Sequence, residues 1–170
     1  MPQNRFLFLL FLMVLPCLTY FLHECAHWLA YLFYGIDARL DINTIRLPQQ
    51  IELTSTQQFI IYGSGVFFSL GQGIIGYGIA FKKEVYFGGS LLLSAAVFRL
   101  VAILQGVVST SDEIKMSRAM AIHDSVWPLI ISGSFFLMLF HLLKKRELPM
   151  KYTCGASLLF LLVTYGYSVI

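Results

Sequence analysis

The chain has 170 residues, of which 58% are hydrophobic and only 12% charged, against about 45–50% and about 25% in ordinary soluble domains. That leaves too little polar surface to solvate a folded domain in water, which excludes a soluble globular protein. The net charge of +3 is small, and no basic patch is interleaved with aromatic residues, which excludes a nucleic-acid binder. The composition predicts an all-α membrane protein, one integral membrane domain over residues 1–170.

A helix needs about 20 apolar residues to cross the hydrocarbon core. Residues 6–34 exceed that length and carry no charged residue except Glu24, the two histidines aside. The first span is therefore expected to tilt or bend, with Pro16 as the bend. Arg5 and the apolar run after it resemble the start of a secretory signal. Pro16-Cys17-Leu18 offers no small-residue cleavage site, however, and the apolar run continues past it, so the segment is read as a retained span.

Residues 35–58 are more polar. Asp37-Ala38-Arg39-Leu40-Asp41-Ile42 and Ile51-Glu52-Leu53-Thr54 alternate in character, and Pro48 lies between them, which predicts a small β-hairpin at the membrane surface. A second span covers 59–81 and closes on Lys82-Lys83-Glu84; a third covers 85–108. A polar stretch follows over 109–125. A fourth span covers 127–143 and ends at Lys144-Lys145-Arg146-Glu147, and a fifth covers 152–170.

Five crossings place Arg5, Lys82, Lys83, Lys144, Lys145, Arg146 and Lys151 on one side and Arg39, Arg46, Lys115 and Arg118 on the other. The positive-inside rule then predicts a cytoplasmic amino terminus, with the cell membrane as the expected location. Cys17, Cys25 and Cys154 form no CxxC pair. Cys17 and Cys25 would lie about 12 Å apart along one helix, too far for a disulfide.

Within the first span stands His23-Glu24-Cys25-Ala26-His27. Residues four apart share a helix face, so His23 and His27 can reach one metal ion, and Glu24 can contact a metal-bound water. A chain with four histidines would show this pattern by chance only about 0.003 times. An acidic residue deep in a bilayer costs about 2.5–3.5 kcal/mol on insertion scales, so Glu24 needs a compensating partner or a water-filled cavity. A metal supplies that compensation better than a merely structural polar cluster.

Catalytic zinc takes three protein ligands and keeps a fourth position for water. Asp112 is the preferred third ligand, because the third span runs parallel to the first and ends on the side towards His23 and His27. Glu113, His123 and Asp124 remain alternatives; His141 falls at the wrong depth.

These residues resemble the site-2 protease family of intramembrane zinc metalloproteases. The resemblance rests on a transmembrane His-Glu-x-x-His helix, on Gly63-Ser64-Gly65 opening the second span, and on an acidic residue near the end of the third. It covers 6–120 as a three-helix core and leaves 125–170 as two additional helices. It implies one Zn2+ ion held by His23, His27 and Asp112, with Glu24 activating water. Where the family's second-span element often carries an asparagine, Ser69 stands here, and Asp112 precedes Glu113 rather than glycine.

The expected activity is hydrolysis of peptide bonds in membrane-embedded protein or peptide substrates, with Glu24 as general base. The hairpin is a candidate for holding an unwound substrate strand. Two rivals are a zinc-dependent membrane hydrolase of a non-peptide substrate and a non-enzymatic scaffold or transporter component. Arg99, alone in mid-span, is read as a structurally paired or snorkelling side chain before an electrostatic partner of the reaction. Gln72 and Gln105 are expected to bond between helices, and Gly63, Gly65, Gly71, Gly73, Gly76 and Gly78 to permit close helix packing.

Overall fold

The computed structural model describes residues 2–41, 45–47, 51–82, 84–105 and 110–145. It contains helix α1 (Pro2–Phe33), strands β1 (Arg39–Leu40) and β2 (Ile45–Arg46), and helices α2 (Ser55–Lys82), α3 (Val85–Gln105), α4 (Asp112–Ala119) and α5 (Val126–Lys144). The helices α2, α5 and the 85–104 stretch of α3 are long and apolar enough to cross a membrane. The fifth span expected over 152–170, the turn at Pro48 and the side chain of Gln105 lie outside the described residues.

α1 continues through Pro16 for 32 residues. Its end follows from one glycine. Gly35, at φ +70°, donates to the Leu32 carbonyl at 2.9 Å, and the Ile36 amide reaches the Tyr31 carbonyl at 3.1 Å. This is the paired closure of a Schellman cap, which needs the left-handed conformation that glycine adopts without strain. Trp28 then ties the chain back, donating its indole N–H to the Ala38 carbonyl at 2.9 Å.

The two strands pair antiparallel, Arg39 opposite Arg46 and Leu40 opposite Ile45, and Arg46 bridges to Asp41 at 2.6 Å. The hairpin is thus real, but its second strand lies earlier than the expected Ile51–Thr54 segment. Thr54 instead caps α2. Its backbone N–H donates to the Gln57 side chain at 2.9 Å, and its hydroxyl accepts from the Gln57 N–H at 3.3 Å. That reciprocal pair is a capping box, and it commits Thr54 to the helix.

Three pairs of contacts fix the bundle. Phe11 meets Phe87 and Tyr20 meets Phe98, so α1 and α3 run parallel. Thr19 meets Gln72 and His23 meets Ser69, so α1 and α2 run antiparallel. Gly73 meets Phe135 and Tyr77 meets His141, so α5 runs parallel to α2. The α2–α3 contact is the closest: a Cβ on Gly76 would fall within 3 Å of the Leu92 amide nitrogen and the Gly88 carbonyl oxygen. Small residues spaced by four let two helix backbones approach in this way. Gly63, Gly65 and Gly73 also lie against neighbouring side chains, whereas a Cβ on Gly71 or Gly78 would meet nothing within 4 Å.

The outward faces are apolar. Leu129, Ile130, Phe136, Leu137 and Phe140 are exposed on α5, as are Ile74 and Ile75 on α2. Hydroxyls within the helices are turned inward to their own backbone: Thr19 donates to the Leu15 carbonyl and Ser134 to the Ile130 carbonyl, bonds that satisfy a polar group without water.

Candidate metal centre

The polar stretch after α3 folds into the α4 helix, which carries Asp112. Ser111 is its N-cap, with its hydroxyl 3.5 Å from the Ile114 amide, and Asp112 and Glu113 occupy the first turn. Acidic residues there are favoured by the unpaired amides and the helix dipole. The helix packs against the start of α2, with the buried Met116 beside Gly63 and Lys115 over the Tyr62 ring.

His23, His27 and Asp112 form a group able to hold a metal ion. His27 Nε2 lies 2.9 Å from His23 Nε2, and Asp112 Oδ2 lies 3.3 Å from the first histidine's Nε2 and 3.2 Å from the second's. Nitrogen and oxygen ligands at about 2.0–2.1 Å from a tetrahedral zinc sit about 3.3–3.4 Å from one another. The three atoms are therefore spaced as one face of such a tetrahedron, within a few tenths of an ångström.

Proton bookkeeping sharpens the fit. His27 Nδ1 lies 2.6 Å from the Ile61 carbonyl, which can only accept, so Nδ1 carries the proton. Ser69 donates its hydroxyl to the Gly65 carbonyl at 3.0 Å. Its oxygen then accepts from His23 Nδ1 at 3.3 Å. In neutral rings both Nε2 atoms are thus lone pairs, and they converge on a carboxylate oxygen. Three acceptors facing one another, the two histidines buried and Asp112 half-buried, are unfavourable without a cation. Ile61 and Ser69 fix the orientation of both imidazoles, as the partners of a metal-binding histidine would.

Gly65 makes room for this arrangement. A Cβ there would fall within 3 Å of His23 Cε1, His23 Nδ1 and His27 Nε2. Ser64 completes the surround, donating to the Ile61 carbonyl at 2.7 Å and lying 3.2 Å from His27 Nδ1.

Glu24 is half-buried and lines a polar cavity of about 250 Å³ together with His27, Asp112, Lys115, Tyr31 and Tyr62. Lys115 lies 3.5 Å from Asp112 Oδ1 and over the Tyr62 ring. A larger cavity, of about 380 Å³, lies beside Thr19 and Gln72, and no titratable side chain lines it. Gln72 donates to Thr19 at 2.8 Å and to the Leu91 carbonyl at 3.2 Å, so its role is the expected bond between helices.

The other acidic and histidine candidates are placed elsewhere. Glu113 is buried against Arg99, Nη1 to Oε1 3.0 Å. His123 is exposed and 2.8 Å from the Ser125 hydroxyl, and Asp124 is held by Arg118 at 2.8 Å. His141 stands at the opposite end of the bundle, edge-on to Tyr77 and Phe81. Arg99 also extends Nη2 to 3.4 Å from His23 Nε2, a contact that sequence reasoning did not anticipate. Gly65 was legible only as a packing residue.

Comparison with protein-family models, curated proteins and solved structures finds no match to this chain. The site's geometry therefore carries the functional argument alone.

Proposed function

We propose that the protein is an intramembrane zinc endopeptidase, similar in its site to the site-2 protease family. The observation that carries this reading is the convergence of His23 Nε2, His27 Nε2 and Asp112 Oδ2 at 2.9–3.3 Å, with Glu24 beside them in a polar cavity. The apolar outward faces and the long helices support placing this site within a bilayer, with the amino terminus cytoplasmic by charge bias.

His23, His27 and Asp112 would hold the ion, and His27 and Asp112 line the cavity beside it. A zinc ion there supplies an acidified water and a polarised substrate carbonyl. Glu24 lies outside the ligand group, and as general base it takes a proton from the attacking water and returns it to the leaving amine. Ile61 and Ser69 keep both imidazoles in the tautomer that offers Nε2. Ile45 of β2 lines the same cavity, so a substrate segment added to the two-stranded sheet would run past Glu24 in the extended form that proteolysis requires.

The test is metal content of the purified full chain. Wild type is expected to hold one zinc per chain and Asp112→Ala to lose it. Wild type without stoichiometric zinc would sink the proposal, and full zinc retention in Asp112→Ala would remove Asp112 from the ligand set.

A further inference from the structure

We infer that the Arg99–Glu113 pair is the positioning device of the metal group, locking the start of α4, and with it Asp112, against His23. The inference rests on the proposal that His23, His27 and Asp112 hold a metal ion.

Arg99 is the largest fully buried side chain among the described residues, and Glu113 is equally enclosed. Their ion pair, at 3.0 Å, is at most 2% exposed on either side. A pair so deeply buried seldom stabilises a fold more than apolar side chains of similar volume would, because desolvation offsets the attraction. This one is further from optimal, since Arg99 Nε and Glu113 Oε2 have no hydrogen-bond partner among the described residues. Stability therefore does not account for it.

Geometry does. Asp112 and Glu113 are consecutive residues in the first turn of an eight-residue helix, so their side chains leave the axis about 100° apart. One reaches the histidines and the other enters the space between α3 and α1. A helix this short has little intrinsic persistence, and an anchor beside the ligand fixes its rotation. The guanidinium lies between both sides of the group: Nη1 grips Glu113, while Nη2 packs 3.4–3.5 Å from the two ring nitrogens of His23, a contact that backs the ring without taking the Nε2 lone pair. Arg99 also lies over the Phe98 ring, which packs edge-on against His23. A rigid planar fork can hold two partners in fixed relation in a way a lysine cannot.

The test uses the full chain in detergent micelles, with Arg99→Met/Glu113→Leu as the principal variant. The readouts are zinc affinity by chelator competition, the visible spectrum of the Co2+-substituted site, and thermal unfolding of the zinc-free protein. The zinc-free double variant is expected to unfold no earlier than zinc-free wild type. Its zinc affinity should fall about 10–100-fold, the usual cost of losing an outer-shell partner, with altered cobalt bands. A purely structural pair predicts the reverse, lower stability with affinity and bands unchanged, and that result would overturn the inference. If the double variant does not fold, Glu113→Gln decides. It keeps the shape but leaves the Arg99 charge uncompensated, and unchanged zinc affinity in it overturns the inference equally. Wild type that takes up neither zinc nor cobalt overturns the metal reading itself, whereas zinc-loaded wild type with an unperturbed variant rejects only the positioning role.

Discussion

Gly65 on α2 lies so close to His23 on α1 that any β-carbon would overlap the imidazole, with His27 Nε2 equally near. In an ordinary helix, replacing glycine by alanine stabilises by about 0.5–1 kcal/mol. Here the added methyl would push both rings off their shared focus. Gly65→Ala is expected to reduce zinc affinity at least about tenfold, by analogy with the loss of an orienting group, while leaving helix content by circular dichroism unchanged. Retained zinc affinity would show that the rings have more freedom than this packing allows.

Glu24 lies in the cavity but outside the group of converging acceptors, so its removal should separate chemistry from metal binding. Glu24→Gln keeps the shape and removes the base, with an expected loss of about 10²–10⁴-fold in peptide cleavage. Zinc content should match wild type. Cleavage of a transmembrane peptide in liposomes, measured beside zinc stoichiometry, checks both halves. Loss of zinc along with activity would make Glu24 a ligand instead of a base.

Much of this site was legible because it is local. His23 and His27 declare themselves by a four-residue spacing, and the order of the spans was enough to nominate Asp112. What escaped depends on tertiary contacts or on competing local signals. Arg99 meets Glu113 across two helices, a pairing that no spacing encodes. Ile51–Thr54 alternates like a strand, yet Thr54 and Gln57 form a helix cap; four residues are too few for period-two alternation to outweigh a capping box. The α4 helix had visible signals in Ser111, Asp112, Glu113 and Arg118, but within a membrane chain its low hydropathy marks only a polar stretch between spans.

The end of α4 repeats the Schellman closure of α1 with an unsuitable residue. The Ile122 amide reaches the Ser117 carbonyl and the Ala121 amide the Arg118 carbonyl, each at 3.0 Å. Ala121 is thereby held at φ 54°, in the left-handed region where a Cβ costs about 1–2 kcal/mol. Ala121→Gly is expected to stabilise the protein by roughly 1 kcal/mol. Gly35→Ala, at the matching position of α1, should destabilise by a similar amount. Thermal unfolding in micelles measures both, and shifts of the same sign would reject the cap assignment.

Asp124 accepts from Arg118, and that hydrogen bond and charge hold its carboxyl below the usual range. A carboxyl whose folded pKa is depressed contributes stability above its unfolded pKa of about 3.9, lost as pH falls through the lower folded value. The pair is about half exposed, so the effect is small and screened by salt. Asp124→Asn should narrow the stability gap between neutral and acidic pH, most visibly at low ionic strength. An equal gap in both proteins would show that the pair contributes nothing.

The α2–α3 crossing offers a sharper contrast within one helix pair. A Cβ on Gly88 would meet the Ala80 amide nitrogen and the Gly76 carbonyl oxygen, whereas one on Gly78 would meet nothing within 4 Å. Backbone cannot rotate aside as a side chain can, so Gly88→Ala must spread the helices, at a cost of about 1–3 kcal/mol typical of overpacking. Gly78→Ala should be neutral or slightly stabilising, since alanine is the better helix former. Because α2 carries Gly65 and Ser69 and α3 carries Arg99, spreading that crossing also moves the groups that orient His23. Gly88→Ala is therefore expected to weaken zinc binding as well as stability, and Gly78→Ala to leave both intact. Unfolding and chelator competition on the two variants test this directly; equal behaviour would mean that the crossing is looser than the glycine contacts require.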